Sequence, residues 1–202
     1  MDTLEAIKNR RSIRAQKSDV IDDATLNKVL EAARWAPSWA NAQEWRFIVV
    51  RDQKIKEQLA ATRPTMRPPG PPPASAAVPA TPPPAPPPAA IITAPVTIVV
   101  VGELKKAGVR PDGTFATDKG DNWYMYDTGL ATQNLCLAAH ALGLGTVILG
   151  MFDAKKAGEI LKVPEGFAVV VMVPLGVPAA PGRPPTRKEL ADIVFTNEFG
   201  KK

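Results

Sequence analysis

The sequence predicts an α+β fold on two observations. Hydrophobic residues make up 45% of the 202 residues, enough for a packed core over most of the chain. Segments with helical periodicity and short β-branched segments follow one another without regular alternation, which favours α+β over a doubly wound sheet. We therefore expect one domain, 1–202, with a Pro-rich insertion or lid at about 63–90.

The N-terminal part of the chain is predicted to contain three helices and one strand. The second helix can be capped by Asp22 or Asp23, has apolar residues at i, i+3, i+4 and i+7, and must end before Pro37. In chain order the expected elements are a helix over 3–11, this second helix, a polar and aromatic loop over 38–45, a strand over 46–50 and a helix over 53–60.

Residues 63–90 differ sharply in composition from the rest of the chain. They hold 13 of the 22 prolines. Because proline lacks a backbone N–H and fixes φ, neither a helix interior nor a central strand suits this segment. We expect polyproline II or disorder in a solvated insertion, and a ligand for a proline-reading domain is the alternative.

The C-terminal part of the chain is predicted to contain buried strands and a central helix. Residues 96–101 are continuously apolar and β-branched, as in a buried strand. The strongest helical pattern covers 122–142 and is followed by Gly143, a natural C-terminal stop. The remaining expected elements are a loop over 105–120, a strand over 146–149, a helix over 154–162 capped by Asp153, a strand over 167–173, a loop over 177–187 and a last helix over 188–195.

Charge and apolar patterning limit the possible partners. The formal net charge of +5 is modest, and no window has the five or six consecutive basic residues of a nucleic-acid-binding tail. Two short basic clusters, 10–14 and 183–188, suit a small phosphate better than a polyanion. No run approaches the roughly 18 apolar residues of a membrane span, and the N-terminus lacks a signal-peptide pattern. With a single cysteine, the expectation is a cytoplasmic protein that binds neither nucleic acid nor membrane.

The sequence is poor in side-chain catalysts. His140, the single histidine, follows Cys136 by four residues in the predicted central helix. Two ligands on one helical face do not make a zinc site, so we expect a structural role for His140 and no metal site. Neither a nucleophile elbow nor a Walker loop is present. If the protein is an enzyme, its chemistry is expected to come from a cofactor.

One segment has the composition of an anion site. Arg10, Arg11 and Arg14 lie with Ser12 within five residues, at the end of the first predicted helix. Guanidinium groups and a hydroxyl match phosphate oxygens, and in an extended segment side chains 10, 12 and 14 would point the same way. On these residues alone, a phosphate cradle and a solvated basic turn both remain open.

Five short motifs resemble, in order and spacing, those of the nitroreductase family. The agreement extends over roughly residues 4–59 and 91–200. The matching segments are the opening motif Arg-Arg-Ser-Ile-Arg at 10–14, the Ala-Pro-Ser-Trp-Ala-Asn-Ala-Gln-Glu-Trp-Arg-Phe element at 36–47, Ala-Pro-Val at 94–96, the central helix and turn over 133–145, and the tail over 174–187.

The resemblance implies a homodimer with a central, mostly antiparallel sheet flanked by helices and with FMN at the subunit interface. By this resemblance, the phosphate and ribityl chain would be held by Arg10, Arg11, Ser12 and Arg14, and Arg187 matches a C-terminal arginine that also reaches the phosphate.

Two further segments match the family around the isoalloxazine ring. Pro37, Ser38 and Asn41 match the loop that approaches the flavin from the other subunit. Leu149, Gly150 and Met151 match the strand end beside the ring, where the Gly150 amide would point at flavin N5.

The resemblance also implies an activity. The expectation is a ping-pong oxidoreductase in which NADH or NADPH reduces FMN, which then reduces a nitroaromatic, a quinone or a similar small-molecule acceptor, with no side chain as an essential acid or base. One alternative is related flavin chemistry: reductive dehalogenation, substrate dehydrogenation or flavin fragmentation. Another is a non-catalytic flavin-binding protein that docks a partner through 63–90.

The sequence departs from the family pattern at two places. Glu44 replaces a proline, and nothing in 63–90 matches the polar residues by which longer family members contact the pyrimidine edge of the flavin, so no flavin contact is assigned to this segment. Of the two tryptophans in this region, Trp45 is expected in the core or the dimer interface, and Trp39 is the better candidate for the substrate side.

Overall fold

The computed structural model describes residues 1–63 and 88–202, so the predicted insertion or lid falls largely outside the described residues. Two short 3₁₀ turns lie at Trp39–Asn41 and Gly120–Asn122. The helices and strands are α1 (Thr3–Asn9), α2 (Asp23–Arg34), β1 (Trp45–Val50), α3 (Gln53–Ala61), α4 (Pro88–Thr93), β2 (Val96–Glu103), α5 (Trp123–Ala141), β3 (Gly145–Thr146), α6 (Ala154–Ile160), β4 (Phe167–Gly176) and α7 (Leu190–Ile193).

Aspartates fix where several helices begin. Asp22 and Asp153 cap α2 and α6 as predicted, each accepting the backbone N–H of the residue three positions on. Asp2 and Asp52 cap α1 and α3 in the same way. The first helix ends at Asn9, two residues earlier than predicted, and the last covers Leu190–Ile193 alone.

The four strands form one antiparallel sheet in the order β1-β2-β4-β3. The predicted strand over 146–149 is shorter than expected: β3 pairs at Gly145–Thr146, and Leu149 then forms an isolated bridge with Met172. In the same register Val147 faces Pro174, which has no N–H to complete the pair. The proline on the partner strand therefore explains the gap.

Helices cover both faces of the sheet, as the α+β prediction requires. On one face α2 and α5 pack against Ile98, Val100 and Leu175. On the other, α3, α4 and α6 pack against Val99 and Met172. The central position predicted for the 122–142 helix is confirmed, because α5 contacts α1, α2 and all four strands. No helix in the described ranges is long and apolar enough to cross a membrane.

The helix α4 begins within the segment that the composition assigns to polyproline II or disorder. Order is expected from Ile91 onwards, whereas the helix starts at Pro88. Proline suits the first position of a helix, where an N–H would have no intrahelical partner. The prediction from composition therefore places the start of ordered structure three residues too late in the chain.

Lys56 on α3 ties this helix to the segment after α4. The side chain is 5% exposed, and its Nζ donates to the carbonyl oxygen of Ala94 at 2.8 Å. Lys56→Met should lower the free energy of unfolding by about 1–3 kcal/mol, because the buried carbonyl loses its donor. Urea unfolding would measure this, with Lys54→Met, exposed on the same helix, as the control. Equal losses in both variants would contradict a specific role for the hydrogen bond.

Candidate functional site

Residues 10–14, called the basic segment from here on, lie along the free edge of β3. Ser12 forms a parallel bridge with Thr146, whose carbonyl oxygen accepts the N–H of Ile13 at 2.8 Å. A Cβ at Gly145 would lie 2.7 Å from the Ile13 Cβ, so only glycine allows this close approach. The bridge shows that the backbone is paired as an extended strand at Ser12–Ile13.

The arginines of this segment differ in how they are engaged. Arg11 Nη1 donates to the carbonyl oxygens of Lys8 at 2.6 Å and Arg10 at 2.9 Å, and so neutralises the C-terminal end of α1. Arg10 is half-buried and Arg14 exposed, and neither has an ion-pair partner in the part of the chain that the structure describes. None of the three arginines thus has an anionic partner among the described residues, and Arg11 alone is held by backbone carbonyl oxygens.

His140, to which the sequence assigns a structural role, lies in the last turn of α5 beside the basic segment. Burial lowers the pKa of His140, and the positive charges of Arg10 and Arg11 lower it further. Its Nε2 is buried and has no hydrogen-bond partner within 1–63 and 88–202. A neutral imidazole with an unpaired nitrogen beside two guanidiniums fits a site for an anion.

The chain after β4 packs back onto the basic segment. Pro178 bridges Gln16, and a Cβ at Gly182 would lie 2.3 Å from the Arg11 Cβ. Arg187 follows five residues later, is exposed, and donates only to the carbonyl oxygen of Thr186, at 3.4 Å, among the described residues. The structure thus brings the C-terminal segment to the basic segment, while Arg187 itself forms no contact with it.

The predicted ring-side residues lie on the same edge of the sheet. Leu149 is buried and exchanges both backbone hydrogen bonds with Met172, at 2.9 and 3.0 Å. At Gly150 the space is open, since an added Cβ would meet nothing within 4 Å, and Met151 is 43% exposed. Leu149 lies three positions after Thr146, the bridge partner of Ser12, so about 10 Å of extended chain separates it from that bridge. A basic patch and an apolar, open strand end therefore adjoin.

The loop with Pro37, Ser38 and Asn41 lies elsewhere, at the N-terminal part of α5. The Trp39 N–H donates to Asp127 Oδ2 at 2.7 Å, and Ser38 Oγ accepts from the Gln43 N–H at 2.9 Å. Pro37 and Asn41 are exposed, and Ser38 is half-buried.

Aromatic residues back this loop. The Trp39 ring packs on Trp123 with centroids 4.7 Å apart, and Trp123 meets Tyr126 edge-on at 5.9 Å. Trp45 is buried with Ala36 and Ala131, which confirms the core alternative for this residue.

The two groups of predicted site residues do not meet within one chain. The loop is anchored at Asp127 and the basic segment lies by His140, thirteen residues further along α5. At 1.5 Å per residue, about 20 Å of helix separates them. The structure therefore brings together 10–14, 145–151 and 178–182, and leaves the loop at 37–41 apart.

Comparison with known proteins adds one family and several relatives. The model of the nitroreductase family matches residues 7–177. A candidate NADH dehydrogenase/NAD(P)H nitroreductase of Methanothermobacter thermautotrophicus is 31% identical over 183 residues, covering 89% of this chain and 78% of the relative. An iodotyrosine deiodinase of Nematostella vectensis is 25% identical over 200 residues, covering 94% and 73%. The structure of a candidate nitroreductase from Desulfovibrio desulfuricans, in complex with FMN, superposes with a TM-score of 0.71 at 28% identity, covering 98% of this chain and 99% of that one.

Proposed function

This chain belongs to the nitroreductase family and is an FMN-dependent NAD(P)H oxidoreductase, and from that premise we propose that it reduces nitroaromatic, quinone or similar acceptors as a homodimer. The proposal rests on one observation. The basic segment and the open strand end at Gly150 lie next to each other at the edge of the sheet that β3 forms. One offers cations for a phosphate, and the other offers room for a flat ring.

The residues present fit FMN. Arg10, Arg11, Ser12 and Arg14 would hold the phosphate and ribityl chain together with Arg187, and the unpaired His140 Nε2 lies at the same end. Bound FMN supplies the redox chemistry, taking a hydride from NADH or NADPH and passing electrons to the acceptor in turn. Gly150 is exposed and an added Cβ there would meet nothing within 4 Å, so a flat ring would have room beside it, flanked by Leu149 and Met151.

A second copy of the chain would complete the site. Because about 20 Å of α5 separates the loop at 37–41 from the basic segment, Pro37, Ser38 and Asn41 would reach the flavin only from the partner. Apolar residues on α1, including Leu4 at 77% exposed, remain uncovered in the single chain and suit a subunit interface.

The activity is tested by following the flavin directly. The purified protein should have a visible flavin spectrum that NADH or NADPH bleaches under anaerobic conditions, and acceptor addition should restore it. Parallel acceptor assays with a nitroaromatic, a quinone and a halogenated phenol separate the leading proposal from dehalogenation, which the deiodinase relative supports. Flavin that binds but is bleached extremely slowly by either nucleotide would favour the non-catalytic alternative.

Single substitutions test the phosphate assignment. Ser12→Ala should weaken FMN binding by about 1.5–3 kcal/mol, roughly ten- to 150-fold in Kd, since it removes one charge-assisted hydrogen bond. Arg187→Ala should cost at least as much, because it removes a charged partner. Fluorescence quenching of added FMN measures both, and Arg183→Ala, in the same C-terminal basic cluster, is the matched control. Unchanged affinity in either test variant would remove that residue from the phosphate site.

Dimerisation and flavin occupancy should be linked. If the loop at 37–41 acts across the interface, the monomer lacks part of the site and should bind FMN poorly. Analytical gel filtration of apo and FMN-loaded protein over a dilution series would show the dimer persisting to lower concentration when FMN is bound. Tight FMN binding by a monomeric species would exclude the intersubunit arrangement.

A further inference from the structure

Two buried carboxyl groups lie together beneath the loop at 37–43. Glu44, which stands where the family pattern has proline, is 0% exposed just before β1, and Asp127 on α5 is 2% exposed. Asp127 lies close enough to Glu44 to raise its pKa. Within 1–63 and 88–202, neither Glu44 carboxyl oxygen has a hydrogen-bond partner. A fully buried carboxyl without a partner is disfavoured as a carboxylate, and a second buried carboxyl nearby disfavours it further, so a proton is favoured here.

The surrounding charges place that proton on Glu44. Burial raises the pKa of Glu44 to about 7, and the nearby Asp127 carboxyl raises it as well. Besides Asp127, the charged group that acts on Glu44 is Lys106 after β2, whose Nζ is engaged by Glu103 at 2.8 Å. Asp127 in turn accepts the Trp39 N–H at 2.7 Å. Asp127 therefore lies between the buried Glu44 and the loop.

The loop needs such an anchor because its backbone is strained. Ala40, Asn41 and Gln43 have φ of 43°, 58° and 48°, in the left-handed region that favours glycine. Local hydrogen bonds such as Ala42 N–H to the Trp39 carbonyl oxygen form the turn itself, and the contact to Asp127 ties it to α5.

We propose that Glu44 is a positioning residue: its protonated carboxyl donates to Asp127, and the pair holds the strained loop at 37–43 in the conformation that the flavin site requires. The part of this proposal that concerns flavin rests on the proposed function. When Glu44 loses its proton, two buried carboxylates face each other, Asp127 moves away from Trp39 and the loop is released. Glu44 thus makes the position of the loop sensitive to pH. A proline at position 44 could not do so, because it has no ionisable side chain.

The test uses the contact between Trp39 and Trp123 as an internal probe. Two indoles 4.7 Å apart give an exciton couplet in circular dichroism, which needs no flavin. In the apo protein the couplet should decrease at least about twofold as the pH rises, with a midpoint near the pKa of about 7. Trp39→Phe identifies the couplet by removing it.

The variants separate Glu44 from its neighbours. Glu44→Gln keeps a donor towards Asp127 and cannot ionise, so its couplet should be retained and independent of pH. Glu103→Gln, which changes the neighbouring carboxylate bound to Lys106, should titrate like the wild type. If Glu44→Gln does not fold, Asp127→Asn keeps an acceptor for Trp39 and should move the midpoint to lower pH, because Glu44 no longer faces a like charge.

Two outcomes overturn the proposal: a couplet that does not change with pH in the wild type, or the same titration in Glu44→Gln. In the FMN-loaded protein, the flavin Kd should rise about tenfold above the midpoint in the wild type and less than about twofold in Glu44→Gln. A titrating couplet in a protein that binds no FMN would leave the positioning of the loop intact and reject the flavin assignment, so the two failures are distinguishable.

Discussion

Replacing Arg10 and Arg14 together by alanine is expected to weaken FMN binding at least about a hundredfold. Each removes a guanidinium without an ion-pair partner within the described residues, and two charged hydrogen bonds at about 1.5 kcal/mol each give roughly 3 kcal/mol. The stability of the apo protein should change little, because neither side chain holds the fold together. Titration of the apo variant with FMN measures the loss, and thermal unfolding checks the fold.

A matched variant separates local contacts from overall charge. Lys28→Ala with Lys54→Ala removes two exposed cations from α2 and α3, with the same change in net charge. It should leave the FMN Kd within about twofold of the wild type. If this control weakens binding as much as the arginine variant, long-range attraction rather than direct contact explains the loss.

The second large effect is a fall in stability as the pH rises. The pKa of Glu44 is raised from an ordinary 4.5 to about 7, so the folded state holds a proton that the unfolded state releases in this range. Stability is therefore highest below pH 4.5 for this group and is lost as the pH rises through about 7. With 1.36 kcal/mol per tenfold change in proton binding, about 2–3 kcal/mol should be lost between pH 5 and 8.

Urea unfolding at the two pH values measures this change. Glu44→Gln should lose much less stability over the same range, and Glu103→Gln should behave as the wild type. Because other groups also titrate, the difference between the wild type and Glu44→Gln is the informative quantity. Parallel pH profiles for these two proteins would show that the buried carboxyl does not titrate over this range.

Local signals predicted the elements well, whereas pairing between distant segments was not predictable from them. The caps at Asp22 and Asp153 were readable because a cap acts within three residues. The shortened β3 depends on Pro174, nearly thirty residues away on the partner strand, and no local pattern at 146–149 indicates it. The early start of α4 at Pro88 shows that a biased composition can hide a boundary.

The residues of the candidate site also divide into those that local sequence patterns indicate and those that only packing between distant segments reveals. The bridge of Ser12 to Thr146 and the burial of Leu149 come from the tertiary structure, and the roles of these residues towards FMN stay predictions. His140 beside Arg10 was missed because helical spacing alone does not say which segment packs on that turn. Asp127 was missed for a similar reason, since a lone aspartate in an apolar helix gives no sign that it anchors Trp39.

The basic segment and the loop at 37–41 lie far apart along α5, and this predicts how dimers of two different variants should behave. If each site takes its basic segment from one subunit and its loop from the other, damage to either part can be complemented. Pairing a chain altered at Arg10 with one altered at Asn41 would place both defects in one site and leave the other site unaltered. Such heterodimers would bind FMN with wild-type affinity at up to about half of their sites, although every site of each parent homodimer is weakened.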